Sequence, residues 1–162
     1  MERVAVAFSG PSNTGKTTLI CKVAQIFIEQ GLKVAIVKHD PKDKARFDTA
    51  GKDSAKFSEI GADVAVVSPT RTTYFLNQMR EIDEIIAGFG KFDILIVEGL
   101  KTLPLPRISL FRDEIDESYL PFSQAIATNL SKDEMNKFCM INFDINDAPS
   151  IAKWILENAK KV

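Results

Sequence analysis

Val4-Ala5-Val6-Ala7-Phe8-Ser9-Gly10-Pro11-Ser12-Asn13-Thr14-Gly15-Lys16-Thr17-Thr18-Leu19-Ile20 is the stretch whose reading decides the fold. Its first five residues are continuously apolar and of strand length, the pattern of a parallel strand buried on both faces. Residues 10–17 match G-x-x-x-x-G-K-[ST] in full, and from Lys16 the apolar period turns helical. A strand that passes through a glycine-rich turn into a helix points backbone N–H groups and the positive end of the helix dipole at one place. That place suits a phosphate chain. Gly10 and Gly15 let the backbone curl around it, with Pro11, Ser12, Asn13 and Thr14 forming the rest of the loop. Lys16 is expected to reach the β- and γ-phosphates, the Thr17 hydroxyl to ligate Mg²⁺, and Thr18 to extend the contact.

Working outward, Leu19, Ile20, Val23, Ala24, Ile26 and Phe27 form one broad helical face that Gly31 stops. Val34-Ala35-Ile36-Val37 reads as a second buried strand, expected beside the first in a parallel sheet. Residues 40–51 are polar and without period, a loop. Asp53-Ser54 can cap a short helix carrying Phe57 and Ile60 and ended by Gly61. Residues 64–67 and 72–76 read as strands joined through Pro69-Thr70-Arg71 in a hairpin. Met79, Ile82, Ile85 and Ile86 mark a helix closing near Gly88. Further strands are expected at 93–99, 107–112, 124–128 and 140–143. Asp147 opens a last helix with Ile151, Ala152, Ile155, Leu156 and Ala159 inward and Trp154 packed in the core. The expectation is α/β: one P-loop NTPase domain over residues 1–162, a mostly parallel sheet with helices on both faces, and an added antiparallel hairpin.

Composition narrows the partners. In 162 residues, 21 Lys and Arg stand against 22 Asp and Glu, a formal net charge of -1. Such a chain has no global field for a nucleic acid, so an anion site must be local. Cys21 and Cys139 lie apart in apolar runs without a CxxC pair, against a zinc site or a disulfide framework. Residues 1–3 lead directly into a strand without the apolar region of a signal peptide, and no run reaches membrane-spanning length. A cytoplasmic protein is expected.

A phosphate loop needs a second acid at the same end of the sheet. Asp93 begins its strand, about 16 Å from the useful end at ~3.3 Å per residue. Glu98 ends that strand before Gly99, so Glu98 is the candidate for Mg²⁺, through a water, and Asp93 for a structural cap. Lys38-His39-Asp40 leaves the second strand at the same end. Gly51-Lys52-Asp53-Ser54 begins a helix. Together these segments make a second polar patch, open to either a ligand or plain solvation. Neither Lys38-His39 nor Gly51-Lys52-Asp53-Ser54 is decisive alone.

These motifs, in this order, resemble the MobB family of molybdopterin-guanine dinucleotide biosynthesis adapter proteins. The resemblance rests on residues 10–17, Lys38-His39, Asp48 ahead of Gly51-Lys52-Asp53-Ser54, Gly61-Ala62, and Val97-Glu98-Gly99 with Lys101. It continues with Leu110-Phe111-Arg112-Asp113 and Phe143-Asp144-Ile145-Asn146-Asp147, and so covers most of the chain. It implies a GTP-binding homodimer with feeble hydrolysis that assists the nucleotidyltransferase joining GMP to molybdopterin. Lys38, His39, Asp48, Lys52, Asp53 and Lys101 would then be candidates for a pterin or anion site. Asp40-Pro41-Lys42 stands where further histidines are usual in the family. There is no N-K-x-D guanine motif. Asn129 is the candidate for base contact, and its amide can serve adenine or guanine, so GTP follows from the resemblance alone.

The principal alternative is a small-molecule kinase, which needs a substrate pocket and usually arginines over the transferred phosphate. Arginines are few, at 3, 46, 71, 80, 107 and 112, and only Arg46 stands in a loop-like polar segment near the expected site. A metallochaperone-type GTPase would need ligand clusters that one His and two separated Cys do not supply. A pure interaction module leaves the phosphate loop without a purpose.

Overall fold

A computed structural model describes residues 2–45 and 48–162. In chain order the elements are β1 (Val4–Ser9), α1 (Lys16–Glu29), β2 (Val34–Lys38), α2 (Asp53–Glu59), β3 (Val64–Val67), β4 (Thr72–Phe75) and α3 (Ile82–Gly88). They continue with β5 (Ile94–Glu98), β6 (Arg107–Phe111), a 3₁₀ turn (Glu117–Phe122), β7 (Ala125–Thr128), α4 (Lys132–Met135), β8 (Ile141–Asp144), α5 (Ala148–Asn158) and β9 (Lys160–Lys161). The chain divides into two compact units, residues 1–39 with 91–162, and residues 40–90.

The first unit is built on a sheet in the order β2-β5-β1-β6-β7-β8, all parallel, with β9 antiparallel against β1. Strand β5 is the most apolar and is fully enclosed from Ile94 to Val97, as a central parallel strand must be. On one face α1 and α5 pack together, burying Leu19, Val23, Phe27, Ile151 and Ile155 against Val6, Phe8, Ile96 and Leu110. On the other, Phe111 and Ile126 meet Met135 of α4 and Tyr119 and Leu120 of the 3₁₀ turn. Helices therefore lie on both faces. Trp154 is a core residue, edge-on to Phe143.

The second unit holds α2, α3 and the β3–β4 hairpin, which is antiparallel as expected. Its turn is closed by Ser68, whose backbone N–H donates to the Arg71 carbonyl and whose hydroxyl accepts from the Arg71 N–H. Asn77 ties the hairpin to the end of α2 by donating to the carbonyls of Ser58 and Ala62.

Three expectations are corrected. β2 is not beside β1: the β1-α1-β2 crossover skips one position, and the more apolar β5 fills it. Leu156, expected inward, is about half exposed because it falls one residue beyond the stripe of Ile151, Ala152 and Ile155. Met79 precedes α3, which starts at a Glu81–Glu84 capping box, and its side chain is in solvent. Separately, Cys21 and Cys139 are exposed free cysteines.

Candidate functional site

Strand β1 runs through the centre of the sheet, so the turn that follows it opens at the carboxyl ends of its neighbours, where open α/β sheets bind ligands. Gly10 has φ +131°, and a Cβ there would meet the Leu110 carbonyl oxygen at 2.2 Å. Only glycine fits. Asn13 and Gly15 also adopt left-handed backbone, and Gly15 occupies the cap position of α1. The Pro11 carbonyl accepts from both the Thr14 hydroxyl and the Lys16 ammonium, which draws the loop round itself. No side chain caps α1, and its first turn holds no acidic residue. A 14-residue helix thus presents its positive end without an acceptor of its own, and that fits a phosphate.

Glu98 stands in register with Phe8 of β1 on one side and Lys38 of β2 on the other. Its carboxylate is nearly enclosed and pairs with the Lys38 ammonium at 3.4 Å. Burial lowers the Lys16 pKa from the ordinary lysine value, Glu98 opposes that, and Lys38 adds to it. Lys16, Glu98 and Lys38 thus form one electrostatic group. Among the described residues no three His, Cys, Asp or Glu side chains gather into a metal cage. Mg²⁺ does not require one, since it keeps waters and commonly takes one or two protein oxygens with substrate phosphates. The exposed Thr17 hydroxyl and Glu98 fit that pattern. Asp93, at the far end of β5, accepts from the Lys33 backbone N–H at 2.8 Å.

The remaining candidates belong to both units. His39 is packed against Gly99, where an added Cβ would come within 3.0 Å of the His39 Cβ. Lys101 lies over the rings of Tyr119 and Phe122, at 5.3 and 5.6 Å from their centroids. Asp48, Lys52 and Asp53 belong to residues 40–90. Asp53, expected to cap α2, instead begins the helix proper: Lys52 takes the cap position without a side-chain bond, and Asp53 pairs with Lys56. Asn129 follows β7. Its carbonyl oxygen accepts from the Asp113 N–H at 2.9 Å and its amide donates to the Asp113 carboxylate at 2.8 Å. Arg46 lies outside the described residues.

Two residues were given no role by the sequence reading. Arg112 and Asn146 line a cleft with Gly15, Thr18 and Lys22 of the phosphate loop and its helix. The guanidinium of Arg112 comes within 3.6 Å of the place a Gly15 Cβ would take. Arg112 therefore stands at the phosphate loop, where the sequence singles out no arginine but Arg46. The signal was present, because Arg112 and Asn146 stand just past β6 and β8, at the phosphate-loop end of a parallel sheet.

Sheet order and phosphate loop together define an α/β protein of the P-loop NTPase fold. Within that class the chain belongs to the family described as molybdopterin guanine dinucleotide synthesis protein B, MobB, which matches residues 5–130. It is 27% identical to the molybdopterin-guanine dinucleotide biosynthesis adapter protein of Escherichia coli K12, over 96% of this chain and 93% of that protein. With the Haemophilus influenzae protein of the same name it shares 30% identity, over 93% of this chain and 86% of that protein. The fold is that of the Bacillus subtilis MobB crystal structure, at TM-score 0.80 and 24% identity, covering 97% of this chain and 98% of that one.

Proposed function

We propose that this protein is a cytoplasmic GTP-binding adapter in molybdopterin guanine dinucleotide biosynthesis, acting with the nucleotidyltransferase that joins GMP to molybdopterin. The observation that carries the reading is the uncapped, acid-free start of α1 behind a glycine wedged against Leu110. Family membership supports the pathway.

In this reading residues 10–18 hold the phosphates, while Thr17, and Glu98 through a water, would hold Mg²⁺. When bound, the metal would neutralise charge on the β- and γ-phosphates. Lys38 pairs with the Glu98 carboxylate and balances its charge. Asn129 contacts the base. Its bonds to Asp113 fix which end of the amide is oxygen, leaving one acceptor lone pair and one N–H for a purine edge. Arg112 and Asn146 border the same cleft.

Hydrolysis by the protein alone is slow, of the order of ~10⁻⁴–10⁻² s⁻¹ as for unassisted P-loop GTPases, because among the described residues no side chain at the site is arranged as a base for water. Lys38 and His39 are proposed to meet molybdopterin. The protein works as a homodimer. Support for this comes from the β3–β4 hairpin, which leaves Val66, Val67, Tyr74 and the following Leu76 in solvent, an apolar surface that a second copy would cover.

The test is to identify by mass spectrometry what co-purifies with the protein, and to measure capture of the nucleotidyltransferase with and without GTP. Guanine nucleotide together with GTP-dependent capture is the expected result. Stoichiometric phosphoryl transfer to a small acceptor, without capture, would replace the adapter with a kinase.

A further inference from the structure

Arg107 opens β6 with its side chain completely enclosed, and nothing in the proposed chemistry uses it. One terminal nitrogen donates to the Ser9 hydroxyl at 2.6 Å and the Gly99 carbonyl at 2.9 Å. The other donates to the carbonyls of Leu100 at 2.9 Å and Leu103 at 3.2 Å. All four partners are neutral. Nε is buried without an acceptor among the described residues. A buried cation answered only by dipoles is a costly way to fill space, and an apolar side chain of similar length would serve packing alone at least as well.

What Arg107 joins explains its presence. Ser9 is the last residue before the phosphate loop. Gly99 and Leu100 are the turn that follows Glu98, and both are left-handed, at φ +92° and +46°. Leucine holds that conformation only where its surroundings impose it. Here the carbonyls of both turn residues are held by one planar guanidinium. The Gly99 N–H donates to the Phe8 carbonyl at 2.9 Å, and His39 closes the glycine's open side. The turn is therefore tied to the base of the phosphate loop as well as to its own strand.

We propose that Arg107 is a positioning residue for the cation: by tying the turn after Glu98 to Ser9 it sets the spacing between the Glu98 carboxylate and the Thr17 hydroxyl. The inference rests on the reading of Thr17 and Glu98 as the Mg²⁺ pair. It makes a distinction that a packing role would not. Loss of Arg107 weakens Mg²⁺-dependent binding while leaving the metal-free contacts of the nucleotide with Lys16 and the loop N–H groups in place.

The experiment measures binding of a non-hydrolysable GTP analogue to the full chain, in EDTA and across a Mg²⁺ titration. It compares wild type, Glu98→Gln, Arg107→Met and Arg107→Lys, with thermal melts alongside. Arg107→Met should raise the Mg²⁺ midpoint about tenfold, as loss of a residue orienting a metal ligand does. Affinity in EDTA should stay within about twofold of wild type, on the same reasoning. Arg107→Lys, which keeps the charge and can reach some of the four acceptors, should recover part of the shift. An unchanged midpoint in Arg107→Met, or a parallel fall of metal-free and metal-dependent affinity, overturns the proposal. Should Arg107→Met fail to fold, the decision rests on Arg107→Lys: an intermediate midpoint supports the role, and a wild-type midpoint at lowered melting temperature rejects it. Glu98→Gln keeps the two ideas apart. If it leaves the midpoint unmoved, the metal assignment itself is wrong whatever Arg107 does.

Discussion

Lys16 and Lys52 both stand at the start of a helix behind a glycine, and in sequence the two segments invite the same reading as anion sites. The structure separates them. Before Lys16, Gly10 is pressed against the Leu110 backbone, and α1 offers 14 residues of aligned dipole with neither a cap nor an acid in its first turn. Around Lys52, an added Cβ on Gly51 would meet nothing within 4 Å, α2 has 7 residues, and Asp53 already places a carboxylate at the positive end. One loop is shaped by the core beneath it. The other is a solvated helix start. A lysine after a glycine therefore says little until the glycine's reason is known.

The largest effect that bears on this contrast should come from Gly10→Ala. A methyl group cannot share space with the Leu110 carbonyl, and alanine is strained at φ +131°. Strain and overpacking together cost about 3 kcal/mol or more, so the loop must shift. Calorimetry should show no GTP binding at micromolar protein, with a melting temperature several degrees lower, at about 4 °C or less per kcal/mol in a domain of this size. Wild-type affinity in this variant would mean that the loop is not held by the core. The matching change at Gly51 has room for the methyl group but is also strained, at φ +85°, so it should cost some stability and leave GTP binding unaltered.

Lys16→Ala comes next. It removes a charge-assisted contact worth ~1.5–3 kcal/mol, or roughly 10- to 150-fold in nucleotide affinity. The fold should be little affected, since the side chain is only partly buried and its protein bond is to the loop's own Pro11 carbonyl. A folded variant that binds GTP as tightly as wild type removes Lys16 from the site. Glu98→Gln should act more narrowly, raising the Mg²⁺ midpoint about tenfold, as metal-site substitutions commonly do, and leaving EDTA-state affinity close to wild type. Equal Mg²⁺ dependence in the two proteins would return Glu98 to a plain ion pair with Lys38.

Much of this was legible in the chain because the physics is local. A five-residue apolar run, a glycine turn and a helical stripe determine β1, the phosphate loop and α1 almost residue by residue, and Asp147 caps α5 by accepting from the Ser150 N–H as its position suggests. What stayed illegible depends on contacts distant in sequence. Nothing near residue 34 says that β5 will slip between β1 and β2, because that follows from which strand is most apolar on both faces. Arg107 reads as an ordinary strand residue until its four acceptors, drawn from residues 9 to 103, are seen converging on it. Arg112 and Asn146 follow ordinary strand patterns in the chain, yet only the order of β6, β7 and β8 brings them to the cleft beside Gly15.

The smallest expected effect is the sharpest test of the difference between Lys16 and Lys52. Lys52→Ala should change GTP affinity by less than about twofold and stability by no more than ~0.5 kcal/mol, the range of surface substitutions away from special features. The Lys52 side chain is exposed and makes no capping bond, so its loss strands no partner. The helix keeps Asp53 in its first turn, whose negative charge already complements the dipole and would repel an incoming phosphate. Binding of inorganic phosphate, followed by calorimetry in Lys16→Ala and Lys52→Ala side by side, separates the two segments. The expected pattern is a large loss for the first and none for the second. A comparable loss for Lys52→Ala would show that a short, acid-bearing helix start can hold an anion, and that shape imposed by the core is not what makes the difference.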